Sequence, residues 1–326
     1  MHTATIHHPH HTTMKLTHKL AAGFLAAAST FSAIAADAAP APAVTFNGYA
    51  VMTGSATKES GAATSSSLDL TAAKFGVTGK FGTVTGYASL YYSGTKTDLL
   101  DAYFTVDAGS GLSITGGKFL SYMGYEAFDP INMDQISYAN GDLLGGPVPA
   151  YHTGVKFDVT KGDSSFGAAL VDSIYSVGGP FKGDGDFKKP GIEAYYTYKG
   201  IKDVQLWFGG LQDTDGNGAV YDFWATYAVN KTDTIGVEYL KKESDGYNWL
   251  LSYKTPLSAK VTLTSRISGE SSSVADAKFT KFTLSPAYSV NDNLTVRAEV
   301  SYYDYSGAGA TTSSKTFFAV QSLLKF

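Results

Sequence analysis

Residues 117–155 read GKFLSYMGYEAFDPINMDQISYANGDLLGGPVPAYHTGV, and this stretch interrupts a chain that otherwise alternates apolar and polar residues. A connection longer than about 12 to 15 residues is uncommon in a compact domain unless it is functional or disordered. The stretch is too apolar for a disordered tether. Its large apolar residues are Tyr122, Met123, Tyr125, Phe128, Ile131, Met133, Ile136 and Tyr138. We therefore predict that it folds against another part of the protein.

The same stretch carries charge of one sign. No Lys or Arg occurs between Ser121 and Tyr151. The acids in this interval are Glu126, Asp129, Asp134 and Asp142. Wherever the stretch packs, it therefore brings a negative electrostatic field to that place.

The amino terminus has the features of a secretory signal peptide. A basic region with Lys15 and Lys19 precedes an apolar core at 20–28, and an A-x-A cleavage site ends at Ala35. The histidines near the first residue could form a metal-binding tract, or the start could be misassigned. The predicted segments are a signal peptide at 1–35, with 1–13 as the misassigned start, and an Ala/Pro linker at 36–43.

The composition excludes several classes of function. Because the chain has no cysteine, disulfides and Cys-ligated metal sites are excluded. Without Lys15 and Lys19 the 25 basic residues become 23, against 29 acidic ones, a balance that argues against a nucleic-acid partner. Of the seven histidines, only His152 follows the cleavage site, so catalytic triads and His-ligated metals lose their usual residue. We predict no enzyme activity, no cofactor and no metal site.

After the linker, segments of roughly 10 residues alternate apolar and polar side chains, as membrane-spanning strands do. Short turn-type connections alternate with longer polar ones such as 55–67 and 270–276, which is the loop pattern of outer-membrane barrels. We predict an all-β fold: a transmembrane antiparallel β-barrel at 44–326 with about 16 strands, and the segment count also allows 14 to 18. The long stretch is then the third extracellular loop, and we expect it to fold into the lumen.

Strand phase assigns side chains to the two faces of the predicted wall, because successive residues point to opposite sides. Near the carboxyl terminus, Val296 and Ala298 share one face, whereas Arg297 shares the other with polar neighbours. A polar inner face follows if the apolar face contacts lipid. The inward charges predicted in this way are a basic wall of Lys254, Arg266, Lys281 and Arg297, and the acids Asp101, Glu193, Asp222 and Glu238.

Two interpretations of these inward charges stay open. Opposed acidic and basic walls could set up a transverse field across a narrow passage and tune ion selectivity. Alternatively, the charges pair with their neighbours and only solvate the lumen. Because acids outnumber bases in the long loop, we expect a weak preference for cations.

The last residue of the chain is aromatic and ends an amphipathic segment. Phe326 shares its face with Phe318, Val320 and Leu324. This ending resembles the carboxyl-terminal strand that the outer-membrane assembly machinery recognises. We therefore predict that Phe326 is part of an assembly signal.

Short motifs occur within and beside the long stretch. They are Gly117-Lys118-Phe119, Gly124-Tyr125-Glu126, Asp129-Pro130 and His152-Thr153-Gly154-Val155. Together they resemble the pattern of the OmpL-like β-barrel porins of the porin-2 family. The resemblance implies a channel in the bacterial outer membrane, with lipid, the assembly machinery, small solutes and ions as partners, and a homo-oligomer as a further option.

The predicted function is a porin that allows passive diffusion of small hydrophilic solutes and ions. A structural or adhesive outer-membrane barrel without conduction is the alternative. An outer-membrane enzyme would need a nucleophile with a base, and His152 is the sole imidazole available. A conductance measurement separates the first two functions.

Overall fold

The computed structural model describes residues 43–139, 141–144, 148–174, 189–214 and 218–326. The predicted signal peptide and nearly all of the predicted linker lie outside the described residues. No helix in the described part of the chain is both long and apolar enough to cross a membrane.

The described residues form one closed antiparallel barrel of 16 strands. Each strand pairs with the next, and the last pairs with the first. The prediction of an all-β antiparallel barrel with this strand number is confirmed. The strands are β1 (Ala43–Glu59), β2 (Ser65–Phe81), β3 (Val84–Tyr92), β4 (Thr97–Gly109), β5 (Leu112–Leu120), β6 (Tyr151–Lys161), β7 (Ser164–Val171), β8 (Gly191–Tyr198), β9 (Val204–Asp213), β10 (Val220–Ala228), β11 (Thr234–Lys242), β12 (Gly246–Pro256), β13 (Val261–Ser272), β14 (Ala277–Ser289), β15 (Leu294–Ser306) and β16 (Ser314–Lys325).

Alternate residues of the strands lie on opposite faces of the wall. In β10, Tyr221 is 55% exposed whereas Asp222 is 1% exposed. In β9, Phe208 is 62% exposed and its neighbour Trp207 is 5% exposed. Large apolar side chains therefore cover the outer face, and charged side chains are buried on the inner one. This is the arrangement of a barrel in lipid, because hydrocarbon solvates apolar side chains and excludes charged ones.

The predicted contrast between short and long connections is partly wrong. The predicted loop 55–67 is mostly strand, because β1 and β2 pair as far as Thr57 and Ser65. Hydroxyl groups contribute to this pairing, since Ser55 Oγ lies 3.2 Å from Ser67 Oγ. The Ser and Thr residues of the predicted loop thus extend the paired strands beyond the segment with apolar side chains. The connection between β5 and β6, residues 121–150, remains long.

The carboxyl terminus closes the barrel beside β1. Phe326 N donates to Gly48 O over 3.0 Å, and Gly48 N donates to Phe326 O over 2.9 Å. A Cβ atom added at Gly48 would lie 2.6 Å from Phe326 Cζ. The absence of a side chain at Gly48 therefore makes room for the terminal ring.

Candidate functional site

The connection between β5 and β6, residues 121–150, is called the long connection below. A buried cluster fixes its two ends. His152 Nε2, just after the connection, lies 2.8 Å from Glu193 Oε1 of β8. The same carboxylate accepts hydrogen bonds from Ser121 Oγ over 2.8 Å and from Tyr122 N over 3.1 Å. Glu193 thereby joins the start of the long connection to its end.

Acidic side chains of the inner wall accept hydrogen bonds from the backbone of the long connection. Asp222 Oδ2 accepts one from Gly124 N over 2.9 Å, and Glu238 Oε1 accepts one from Tyr125 N over 2.6 Å. These acids satisfy irregular backbone that has no strand partner, and a buried N–H group left without an acceptor would be costly. Further contacts of this kind join Glu270 to Gly141 and Asp142, and Glu299 to Ile136 and Ser137.

Basic side chains of the inner wall bind acids and carbonyl groups of the long connection. Arg266 Nη1 binds Glu126 Oε1; the Arg266 side chain is buried and that of Glu126 is 9% exposed. Lys254 Nζ lies 2.6 Å from Asp134 Oδ1. The remaining contacts join Arg297 to Met133 O and Gln135 O, Lys281 to Ser137 Oγ and Tyr138 O, and Lys315 to Asp142. The long connection therefore covers the predicted basic wall.

Asp129 anchors the long connection to the first strands of the barrel. Tyr49 OH of β1 donates to Asp129 Oδ1 over 2.7 Å, and Lys74 Nζ of β2 lies 3.2 Å from Asp129 Oδ2. Lys74 Nζ also lies 3.0 Å from Asp101 Oδ2 of β4. Pro130 begins a short 3-10 turn directly after Asp129 and fixes the direction of the backbone there.

The inward charges predicted from strand phase all take part in this network. Glu193, Asp222, Glu238 and the four bases contact the long connection directly, and Asp101 reaches it through Lys74. Sequence reasoning missed Lys74, Glu270 and Lys315 as partners. Glu270 follows Arg266 by four positions on the same strand, so the inward phase could have identified it. A role for any of these residues in conduction stays a prediction.

Glycines of the family-like motifs lie where backbones pass close to one another. Gly117 of β5 and Gly154 of β6 are register partners. A Cβ atom added at Gly117 would collide with Ala102 O, and one added at Gly154 would collide with Leu170 O. Gly124, in the first turn of the long connection, has φ +97°, which L side chains rarely adopt. These three positions therefore require glycine for backbone reasons.

The other motif residues support the wall beside the long connection. Lys118 Nζ donates to Leu99 O over 2.8 Å. Phe119 is 2% exposed and packs in an apolar cluster with Met123 of the long connection and with residues of β7, β9, β10 and β11. Thr153 N donates to Asp172 Oδ1 over 3.1 Å, at the start of the connection that follows β7.

Tyr125 packs its ring against the inner wall. The Tyr125 hydroxyl lies directly over Gly236 of β11. A Cβ atom added at Gly236 would collide with this hydroxyl, so the absence of a side chain there makes room for the tyrosine. The Tyr125 ring is 5.8 Å from the ring of Trp224, which stacks on Trp207 at 5.6 Å between ring centroids. Burial raises the pKa of the Tyr125 hydroxyl, so this side chain stays neutral. Tyr125 is thus held in two ways: its ring packs against Trp224, and its backbone N–H group donates to Glu238.

The chain is similar to known porins. The family described as "Putative beta-barrel porin-2, OmpL-like" matches residues 49–326. No curated protein sequence matches the chain.

Solved structures share the fold at low sequence identity. An anion-selective porin from Comamonas acidovorans aligns with a TM-score of 0.66 and 12% identity, over 87% of this chain and 100% of that chain. OprB of Pseudomonas putida, in a high-pH structure, aligns with a TM-score of 0.69 and 10% identity, over 87% and 94%. OmpT, an outer membrane protein of Vibrio cholerae in its trimer form, aligns with a TM-score of 0.62 and 16% identity, over 88% and 100%.

The family match extends over most of the barrel, from β1 to the last residue. A closed barrel with an apolar outer face and a charged inner face is the fold that the family name implies. The protein is therefore a channel of the bacterial outer membrane. It belongs to the family of OmpL-like β-barrel porins of the porin-2 type.

Proposed function

We propose that the barrel is a water-filled channel for passive diffusion of small hydrophilic solutes and ions, with the long connection folded into the lumen as its constriction. One observation carries the position of the constriction. The long connection bonds to inward side chains of β1, β2, β8 and every strand from β10 to β16. Contacts on so many sides of a closed ring support a path through the space that the ring encloses.

The strand number fits diffusion of small solutes. Side chains fill an eight-stranded barrel, whereas barrels of 16 to 18 strands leave an aqueous channel. A loop across that channel narrows it without closing it. The fold and the family are those of a non-enzymatic channel, and the lone imidazole described here, His152, is 0% exposed and held by Glu193. The proposal therefore includes no chemical step.

Export and assembly complete the proposal. Residues 1–35 would direct export and be removed, 36–43 would link the cleavage site to the barrel, and 44–326 would form the membrane domain. The exposed apolar outer face suits contact with lipid. OmpT of Vibrio cholerae, which has a similar barrel, has been solved in a trimer form. On that similarity we include a homo-oligomer of this chain in the proposal.

The first prediction tests conduction. Liposomes that contain the folded protein are expected to swell in solutions of a pentose and much more slowly, by several-fold, in a trisaccharide, because the constriction retards larger solutes. Light scattering measures the swelling rate. Liposomes with heat-unfolded protein are the control. If no solute causes swelling, the barrel is plugged or structural, and the alternative without conduction is favoured.

The second prediction concerns assembly. Deleting Phe326 is expected to remove most of the heat-modifiable barrel from the outer membrane, because the deletion removes the terminal aromatic residue and its backbone pair with Gly48. Immunoblots of membrane fractions measure this loss. The variant Phe326→Tyr, which retains an aromatic ring, is expected to assemble normally. Normal assembly of the deletion variant would show that Phe326 carries no signal.

A further inference from the structure

The long connection borders a cavity of about 740 Å³. Most of the lining comes from the connection itself, and Leu120, Glu238 and Tyr303 come from the wall. Four of the lining residues are aromatic. The rings belong to Tyr122, Phe128, Tyr138 and Tyr303. No Lys or Arg side chain of the described ranges lines the cavity.

The acids that line the cavity differ in their partners. Glu126 binds Arg266, and Asp142 binds Lys315. Glu238 has no basic partner among the described residues; its Oε1 atom accepts only the Tyr125 N–H group. Glu238 is therefore the cavity acid that forms no ion pair within the described part of the chain.

A second acid without a basic partner lies beside Glu238. Asp222 of β10 is two residues from Trp224, and Trp224 is the register partner of Glu238, so the two carboxyl groups are diagonal neighbours on the inner face. They accept hydrogen bonds from the consecutive residues Gly124 and Tyr125. Asp222 is 1% exposed and Glu238 4% exposed. Within the described part of the chain, Asp222 Oδ1 has no hydrogen-bond partner at all.

Other wall acids are better satisfied. Glu193 Oε1 lies 2.8 Å from His152 Nε2, and Glu270 accepts hydrogen bonds from several backbone N–H groups. A buried acid with a single donor is costly, and a second acid beside it adds repulsion. A bound cation would relieve both effects. The described residues contain no group of three or more acidic or imidazole side chains arranged to hold a metal ion, so a metal is a poor fit.

The lining selects the kind of cation. Aromatic faces attract ammonium groups and also pack against hydrocarbon. We propose that this cavity binds organic cations, with the ligand's ammonium group at Glu238 and its apolar body against the aromatic rings. Asp222 lies beside Glu238 and adds negative charge there without lining the cavity. The proposal rests on the proposed function in one respect, because a solute reaches the cavity through the channel. It names the class of solute that the channel retains.

Current block in planar bilayers tests the proposal. The probe is phenethylammonium, and its matched neutral probe is 2-phenylethanol, which has the same ring and chain length. Phenethylammonium is expected to reduce the potassium current at concentrations about tenfold lower than the alcohol, which is the effect of a charge-assisted hydrogen bond. Equal block by both probes would overturn recognition of the charge.

Amide variants locate the site. In Glu238→Gln the Oε1 atom can still accept the Tyr125 N–H group, so the long connection keeps its anchor. This variant is expected to raise the half-blocking concentration of phenethylammonium about tenfold. Asp222→Asn, beside Glu238 but outside the lining, is expected to raise it less. The control is Asp107→Asn, an exposed acid of β4 that accepts a hydrogen bond from Gly109 N and does not line the cavity. The control variant is expected to change the block by less than about twofold.

Calorimetry separates this proposal from the channel function. Titration of the folded protein in detergent with phenethylammonium is expected to release binding heat, and Glu238→Gln is expected to lose most of it. Absence of heat with the unchanged protein, or equal heat with Glu238→Gln, would overturn the proposal. If the protein conducts but shows neither heat nor selective block, the cation site fails while the channel function stands. If the protein does not conduct at all, the titration still decides the cation site.

Discussion

Replacing residues 122–149 with a short Gly/Ser linker is expected to raise single-channel conductance several-fold while the barrel stays folded. Leu120 and Tyr151 are register partners in β5 and β6, so a short linker can join the two strands. Wall charges such as Arg266 and Glu299 lose their partners in the long connection. They gain water in the wider lumen, so they avoid the cost of a buried, unpaired charge. Planar-bilayer recordings measure the change.

A matched replacement controls for changes at the barrel rim. The same linker in place of 60–64, which joins β1 to β2 and is exposed, is expected to leave the conductance unchanged. Swelling assays on the first variant should also admit larger sugars than the unchanged protein does. A conductance that stays the same after removal of 122–149 would mean that the long connection lies outside the path of the ions.

Strand phase predicted the wall well because each strand has one face toward lipid and one toward the interior. The alternation of Tyr221 and Asp222 in β10 could be read directly from the sequence, and their exposures of 55% and 1% agree with it. The ends of β1 and β2 were predicted less well. Their outer parts are held by cross-strand hydrogen bonds such as Ser55 to Ser67. Local polarity cannot reveal such bonds, because they depend on which strand lies opposite.

The partners of the inward charges could not be predicted in the same way. Strand phase indicates that Arg297 points inward, but the long connection has no repeating pattern that fixes its path. In the structure Arg297 donates to Met133 O and Gln135 O, which are carbonyl groups rather than acids. The choice between the two interpretations left open by the sequence therefore stays a prediction. The field across the passage then depends on the pairs that remain in contact with solvent.

One ion pair between the wall and the long connection is notably accessible. The side chains of Lys254 and Asp134 are 44% and 38% exposed, whereas those of Arg266 and Glu126 are 0% and 9% exposed. Charges that face water in a narrow passage act on passing ions more directly than charges that are buried in pairs. We therefore expect Asp134 and Lys254 to contribute more to ion selectivity than their buried counterparts.

Neutralising the acids of the long connection is expected to shift selectivity toward anions. In the triple variant of Glu126→Gln, Asp129→Asn and Asp134→Asn, the basic partners Arg266, Lys74 and Lys254 keep their charges. The passage thus becomes more positive. The reversal potential in a salt gradient measures the shift, and Asp134→Asn alone is expected to produce the largest part of it.

Neutralising the wall bases is expected to shift the reversal potential in the opposite direction. Lys254→Gln is the matched partner of Asp134→Asn, because the two residues form one accessible pair. Replacing Arg266 and Lys281 with glutamine should act in the same sense as Lys254→Gln but less strongly, since both side chains are buried against the long connection. If the acidic and the basic variants both leave the reversal potential unchanged, these charges serve only to hold the long connection and lie outside the conduction path.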